Sequence, residues 1–180
     1  PSANPSGRIS PSTAHHVHTG LAGKIDLILD DGPCENGLES TIIDCSGGAP
    51  ALLRPGGISR KAIETALRSA GLDCPVRDAN ALSDSDQPLA PGQLRSHYAP
   101  VANVRLNATS RQGDEELIGF GSVPGAGQLS LSLSPAGNIR EAAANLFAML
   151  HQADAVTTGT KRKIAIAPIP QDGIGEAIND

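Results

Sequence analysis

The chain has 180 residues, enough for one ordinary domain or two small ones, and 39% of them are hydrophobic, enough to build a core. Aromatics are only 2%, with no Trp, so that core must be mostly Leu, Ile, Val and Ala. A formal net charge of −5 argues against non-specific nucleic-acid binding, which needs a basic face, yet leaves room for a small anionic ligand held by a few donors.

In chain order, Ser12 or Thr13 can cap a short helix through "TAHHVHTG", which Gly20 ends. "IDLIL", Ile25 to Leu29, reads as a buried strand. "STIID", Ser40 to Asp44, and "ALLR", Ala51 to Arg54, read as two strands joined by the turn "CSGGAP". Ser59 caps a helix through "RKAIETALRSA", whose Ile63, Ala66, Leu67 and Ala70 fall on one face before Gly71. From about Asp78 to Tyr98 the chain loses its period and gains Pro, Ser and Asp, the composition of an extended linker.

Beyond Pro100 a second unit begins. "VANVRL" and "ELIGF" are strand-like, and "QLSLSLS" sets Leu129, Leu131 and Leu133 against serines, which predicts a strand with one wet face. Asn138 opens a helix, and Glu141 stands three residues later at capping-box spacing. Ile139, Ala143, Leu146, Phe147 and Leu150 share one face of that helix. "KIAIAPIP" is another strand, and "GIGEAIND" starts a helix that the chain leaves in its second turn at Asp180. Strands alternating with helices predict a small parallel α/β unit.

Three stretches can carry chemistry. In "PSANPSGRISPS", Ser2, Asn4 and Ser6 offer polar groups on a chain stiffened by Pro1, Pro5 and Pro11. Ser12 lies at a helix mouth, where free N–H groups favour an anion; a polar turn followed by an N-cap explains the same residues. In "GLESTIIDCSGGAPALLRPGGI", Arg54 ends a strand before a Pro-Gly-Gly turn and suits a phosphate or carboxylate, or is a surface Arg beside a turn. In "PGQLRSHYAP", Arg95, His97 and Tyr98 could fold over a ligand, or Tyr98 could anchor the loop on a domain surface. The "HHVH" run puts His15 and His18 on one helix face without a carboxylate or cysteine in a ligand pattern, and reads as a solvated face rather than a metal site.

Cys34, Cys45 and Cys74 are odd in number and widely spaced, and read as buried reduced thiols of a cytosolic protein. No apolar run approaches a membrane span. There is no Walker A pattern, no G-x-S-x-G and no nucleophile with an evident base.

Taken in order, "SANPSG", "GLESTIID", "LLRPGGI" and "PGQLRSHYAP" resemble the two-domain threonylcarbamoyl-AMP synthases, YrdC-like enzymes with an extra C-terminal domain. The resemblance implies an α/β fold: the C-terminal half of a YrdC-like twisted mixed sheet over 1–78, a linker over 79–99 and a small Rossmann-like parallel domain over 100–180. It implies condensation of L-threonine, bicarbonate and ATP, with Mg²⁺, into threonylcarbamoyl-AMP and pyrophosphate. A separate cytoplasmic complex then passes the product to tRNA, so direct tRNA binding and a membrane are not expected. Carried over residue by residue, Ser2 and Ser40 match threonine contacts, Asn4 and Ser12 match nucleotide-side residues, Arg54 matches an arginine on the ATP phosphates, and His97 and Tyr98 match the linker motif over the nucleotide.

The family also has a lysine and an arginine upstream of its "SxN" loop, and nothing precedes Pro1 here. The chain is therefore expected to hold part of a site and to have little synthase activity alone. A non-catalytic nucleotide-binding or regulatory module, or an RNA-binding module of the same fold, is the alternative.

Overall fold

Turn-rich sequence cuts the elements short, and short elements need partners from distant parts of the chain. The structure, a computed structural model, describes residues 3–78, 90, 98–123 and 131–180. Its elements in chain order are α1 (Ala14–Leu21), β1 (Ile42–Asp44), β2 (Ala51–Arg54), α2 (Arg60–Ser69), β3 (Arg77–Asp78), β4 (Val104–Arg105), β5 (Glu116–Phe120), β6 (Leu131–Ser134), α3 (Ile139–Thr157), β7 (Ile164–Ile166) and α4 (Gly175–Ile178). Two compact units form, each from two stretches: Pro1–Gly37 with Ser96–Ile169, and Leu38–Arg95 with Pro170–Asp180. Most of the expected linker, residues 79–89 and 91–97, lies outside the described residues.

In the first unit four strands run in the order β4-β7-β5-β6, and every pairing is parallel. Parallel strands need a crossover, and α3 supplies it from β6 back to β7. Strands covered on both faces read as continuous apolar runs, and Leu117 and Ile118 of β5 are each 1% exposed. Onto this sheet α3 lays Ala142, Ala143, Leu146, Phe147, Leu150 and Ala153. Asn138 caps α3 by accepting the N–H groups of Arg140 at 2.9 Å and Glu141 at 3.2 Å.

Glu141 does not reach back to Asn138 as a capping box would. The Ser134 hydroxyl stands between them, donating to the Glu141 carboxylate and accepting the Asn138 N–H at 2.9 Å. Ser134 is accordingly fully buried, which corrects the expectation that the serines of this strand face water. A second correction concerns Ile25 to Leu29. This stretch is irregular, with Leu27 and Leu29 exposed, because no neighbouring strand pairs with it among the described residues.

In the second unit β1 and β2 pair antiparallel, joined by the expected turn, and β3 pairs parallel with β2. Ser59 caps α2, its hydroxyl accepting the Ala62 N–H. Only Ile63 and Leu67 of the expected α2 face are half-buried; Ala66 and Ala70 are exposed. At the start of α2, Arg60 donates to the Val76 carbonyl at 2.8 Å and to the carboxylates of Asp78 and Glu176 at 2.6 Å each, tying α2, β3 and α4 together.

The cysteines depart from expectation in their exposure. All are free, Cys34 and Cys45 are exposed and Cys74 is half-buried. None sits in a helix or strand, so none is on an element's core face.

Candidate functional site

The first unit carries the "ANPSG" loop. Its turn closes with the Arg8 N–H on the Pro5 carbonyl at 3.1 Å, and Gly7 takes the positive φ of 76° that a residue with a side chain rarely adopts. Asn4 folds its amide inward, donating Nδ2–H to the Pro5 and Arg8 carbonyls at 3.0 Å each. The other end of that amide, Oδ1, is buried and has no hydrogen-bond partner. A buried acceptor left unmet costs about 1–3 kcal/mol, so it marks a place where a donor from a ligand would be welcome.

The loop is clamped at both ends. A parallel bridge joins Arg8 to Ala99, with the Ala99 N–H on the Gly7 carbonyl at 3.2 Å. This sets Tyr98 beside the loop with a positive φ of 50° and its ring 5.8 Å from that of Phe147. At the far end Ser12 is buried, and both its N–H and its hydroxyl meet His16 Nδ1, at 3.2 and 3.3 Å. Thr13, not Ser12, caps α1, taking the His16 N–H.

His15 and His18 are exposed on their shared face of α1, whereas His16, off that face, is half-buried. Its ring stacks on His151 of α3 at 3.9 Å between centroids, 20° from parallel. His151 in turn meets the Ser10 carbonyl at 3.1 Å. Burial, then the nearby His151 and His15, lowers the His16 pKa to about 4. Burial lowers that of His151 as well. Among the described residues no group of three or more His, Cys, Asp or Glu could hold a metal ion.

The second unit carries Ser40 and Arg54, and the structure brings these two together. Arg54 is buried, and its Nε and Nη2 donate to the Ser40 carbonyl at 3.0 and 2.8 Å, with Nη2 also 2.9 Å from Ser40 Oγ. The Glu39 carboxylate stands 3.9 Å away. Two further features press the segments together. Thr41 Oγ1 donates to the Ile58 carbonyl at 2.8 Å and accepts the Ile58 N–H at 3.0 Å. Gly56 lies so close to the backbone of Glu39, Ser40 and Thr41 that a Cβ would come within 3 Å of all three. A groove of about 470 Å³ in the same unit runs between α2 and residues 171–176, but its Arg60 is committed to Asp78 and Glu176.

Of the sequence-predicted residues, Asn4, Ser12 and Tyr98 thus gather on one loop cluster, and Ser40 and Arg54 on another. Ser2 and His97 lie outside the described residues. Sequence reasoning missed His151 altogether, because nothing local links a lone His inside α3 to the Ser10–Ser12 turn.

The family model described as "Threonylcarbamoyl-AMP synthase, C-terminal domain" matches residues 58–180, and one described as "Telomere recombination" matches residues 1–56. The threonylcarbamoyl-AMP synthase of Bacillus subtilis is 40% identical over 118 residues, covering 66% of this chain and 33% of that protein. That of Pyrococcus abyssi is 42% identical over 104 residues, covering 58% and 29%. The crystal structure of P. abyssi Sua5 complexed with L-threonine superposes with a TM-score of 0.78 at 31% identity, over 99% of this chain and 54% of that one. The chain therefore spans about a third of the length of these curated relatives. With the motifs in family order, a parallel α/β sheet and a family model matching residues 58–180, the chain belongs to the threonylcarbamoyl-AMP synthase family.

Proposed function

We propose that the protein serves the synthesis of threonylcarbamoyl-AMP, with ATP, L-threonine and bicarbonate as substrates. The observation that carries this reading is the buried, unpartnered Oδ1 of Asn4. An amide whose N–H groups are already spent presents a pure acceptor, which suits an N–H or O–H of a nucleotide. Asn4, Ser12, His97 and Tyr98 are proposed on the nucleotide side, Arg54 on the phosphates, and Ser2 and Ser40 toward threonine.

The chemistry asks for positioning and charge stabilisation. The threonine amine captures bicarbonate carbon as a carbamate, with loss of water. A carbamate oxygen attacks the α-phosphorus of ATP, and the bond to the β-phosphate oxygen breaks to release pyrophosphate. No protein nucleophile is needed. Arg54, held in place through Nε and Nη2 by Ser40, is proposed to bring its positive charge to the phosphates. Mg²⁺ would enter on the ATP phosphates with its own waters.

In functional terms we divide the chain into 1–78, 79–99 and 100–180, although the packing units interleave these segments. A cytoplasmic setting and hand-over of the product to a tRNA-modifying complex belong to the same proposal. No described helix is long and apolar enough to cross a membrane.

The test is calorimetric titration of the chain with ATP, alongside Asn4→Ala. Binding weakened by about tenfold, the effect of one hydrogen bond from a buried acceptor, supports the reading. Undiminished binding by the variant would remove Asn4 from the site, and no binding by the parent chain would remove the nucleotide.

A further inference from the structure

Helix α3 does more in the first unit than cover a sheet. His151 Nε2 lies 3.1 Å from the Ser10 carbonyl, which can only accept, so the proton is on Nε2. His16 is fixed the other way: its Nδ1 accepts the Ser12 N–H, so its proton is on Nε2 and Nδ1 is bare. Two such neutral rings stack at 3.9 Å; two charged ones would repel, and a protonated His16 Nδ1 could no longer accept from the Ser12 amide.

We propose that His16 and His151 are positioning residues for the loop that carries Asn4 and Ser12: neutral and stacked, they tie its Ser10–Ser12 turn to α3, and protonation of His16 frees Ser12 from that hold. This rests on the reading that the loop serves the nucleotide. The groups facing the pair are Ser10 and Ser12 from the turn, exposed His15 from α1, and Asp154 from α3. A charged His151 is favoured by its bond to the Ser10 carbonyl and, after that, by Asp154. Its carboxylate already accepts the N–H groups of Val101 and Ala102, at 2.7 and 3.1 Å. Burial opposes charge on both rings, and for His16 it prevails down to a pKa of about 4.

The test follows Ser12 amide exchange by NMR and ATP affinity by calorimetry, on the whole chain, from neutral pH to the value of about 4 where His16 protonates. His151→Ala is expected to speed Ser12 exchange at neutral pH and to weaken ATP binding, each by about tenfold, the worth of a lost hydrogen bond. His16→Asn keeps an acceptor oxygen for the Ser12 N–H but cannot titrate, so Ser12 should stay protected and lose its pH response. The amides of Leu146 and Leu150 report whether α3 is still folded. Ser12 exchange unchanged in His151→Ala with α3 intact overturns the proposal, as does a wild-type pH response in His16→Asn. If Ser12 responds as expected while ATP binds to no form of the chain, the pair still positions the turn and the nucleotide reading falls.

Discussion

Gly56 shows how much one missing side chain can position. Its Cα sits against the backbone of Glu39, Ser40 and Thr41, none of which can swing aside as a flexible side chain would. Gly56→Ala should therefore push the "LRPGG" turn off the "EST" segment and separate Arg54 from Ser40. Overpacking of this kind costs about 1–3 kcal/mol, so a fall in melting temperature is expected, and an unchanged melt would mean that the backbone yields. Arg54 allows a finer test. Arg54→Lys keeps the charge but replaces a planar fork by a point charge, which cannot hold both oxygens of Ser40 as the fork does. ATP affinity should fall, and equal affinity would reduce the contribution of Arg54 to its charge alone. His16 adds a pH dependence whose sign is fixed. An unfolded His binds its proton near 6.5 and the folded His16 at about 4, so between these values the unfolded state holds more protons. Stability is fully present above 6.5 and is lost as the pH falls toward 4. Melting curves across that window should show the loss, and His16→Asn should reduce it, leaving the share of His151.

The start of α3 depends on a residue of the strand before it. Ser134 completes what Asn138 and Glu141 leave open, so Ser134→Ala would strand a carboxylate and a helix-terminal N–H together. Each lost hydrogen bond costs about 0.5–1.5 kcal/mol, and hydrogen exchange in the first turn of α3 should rise while its last turns stay protected. Uniform protection would show that water replaces the hydroxyl. The same arrangement explains which elements were legible in sequence. The caps at Thr13, Ser59 and Asn138 act within three residues and were readable or nearly so. The β1–β2 hairpin was readable because its turn is local. The alternation at Leu131 to Ser134 marked a strand but not its environment, since the partner of Ser134 belongs to the next helix. Ile25 to Leu29 had the apolar content of a strand, but pairing is decided by a neighbour that the stretch itself does not encode.

Across the whole molecule the candidate site was legible as blocks and illegible as contacts. Asn4 and Ser12, or Ser40 and Arg54, announce themselves through short motifs, whereas the hold of His151 on the Ser10–Ser12 turn spans most of the chain and leaves no local trace. Net charge acts at this scale too. Nineteen acidic residues face fourteen Lys and Arg, and several of those cations are already matched: Arg60 to Asp78 and Glu176, Arg105 to Glu115, and Arg162 to Glu116. Binding tRNA requires that Lys and Arg neutralise phosphates and release counterions, and each contact made adds to the salt dependence. Matched arginines would have to leave their carboxylates first, which cancels much of the gain. Filter binding of tRNA to the chain at falling salt should therefore show no steep rise in affinity. A plot of log affinity against log salt with a slope of several units would expose a basic surface that the overall charge hides, and would bring tRNA onto this protein rather than onto the machinery that consumes its product.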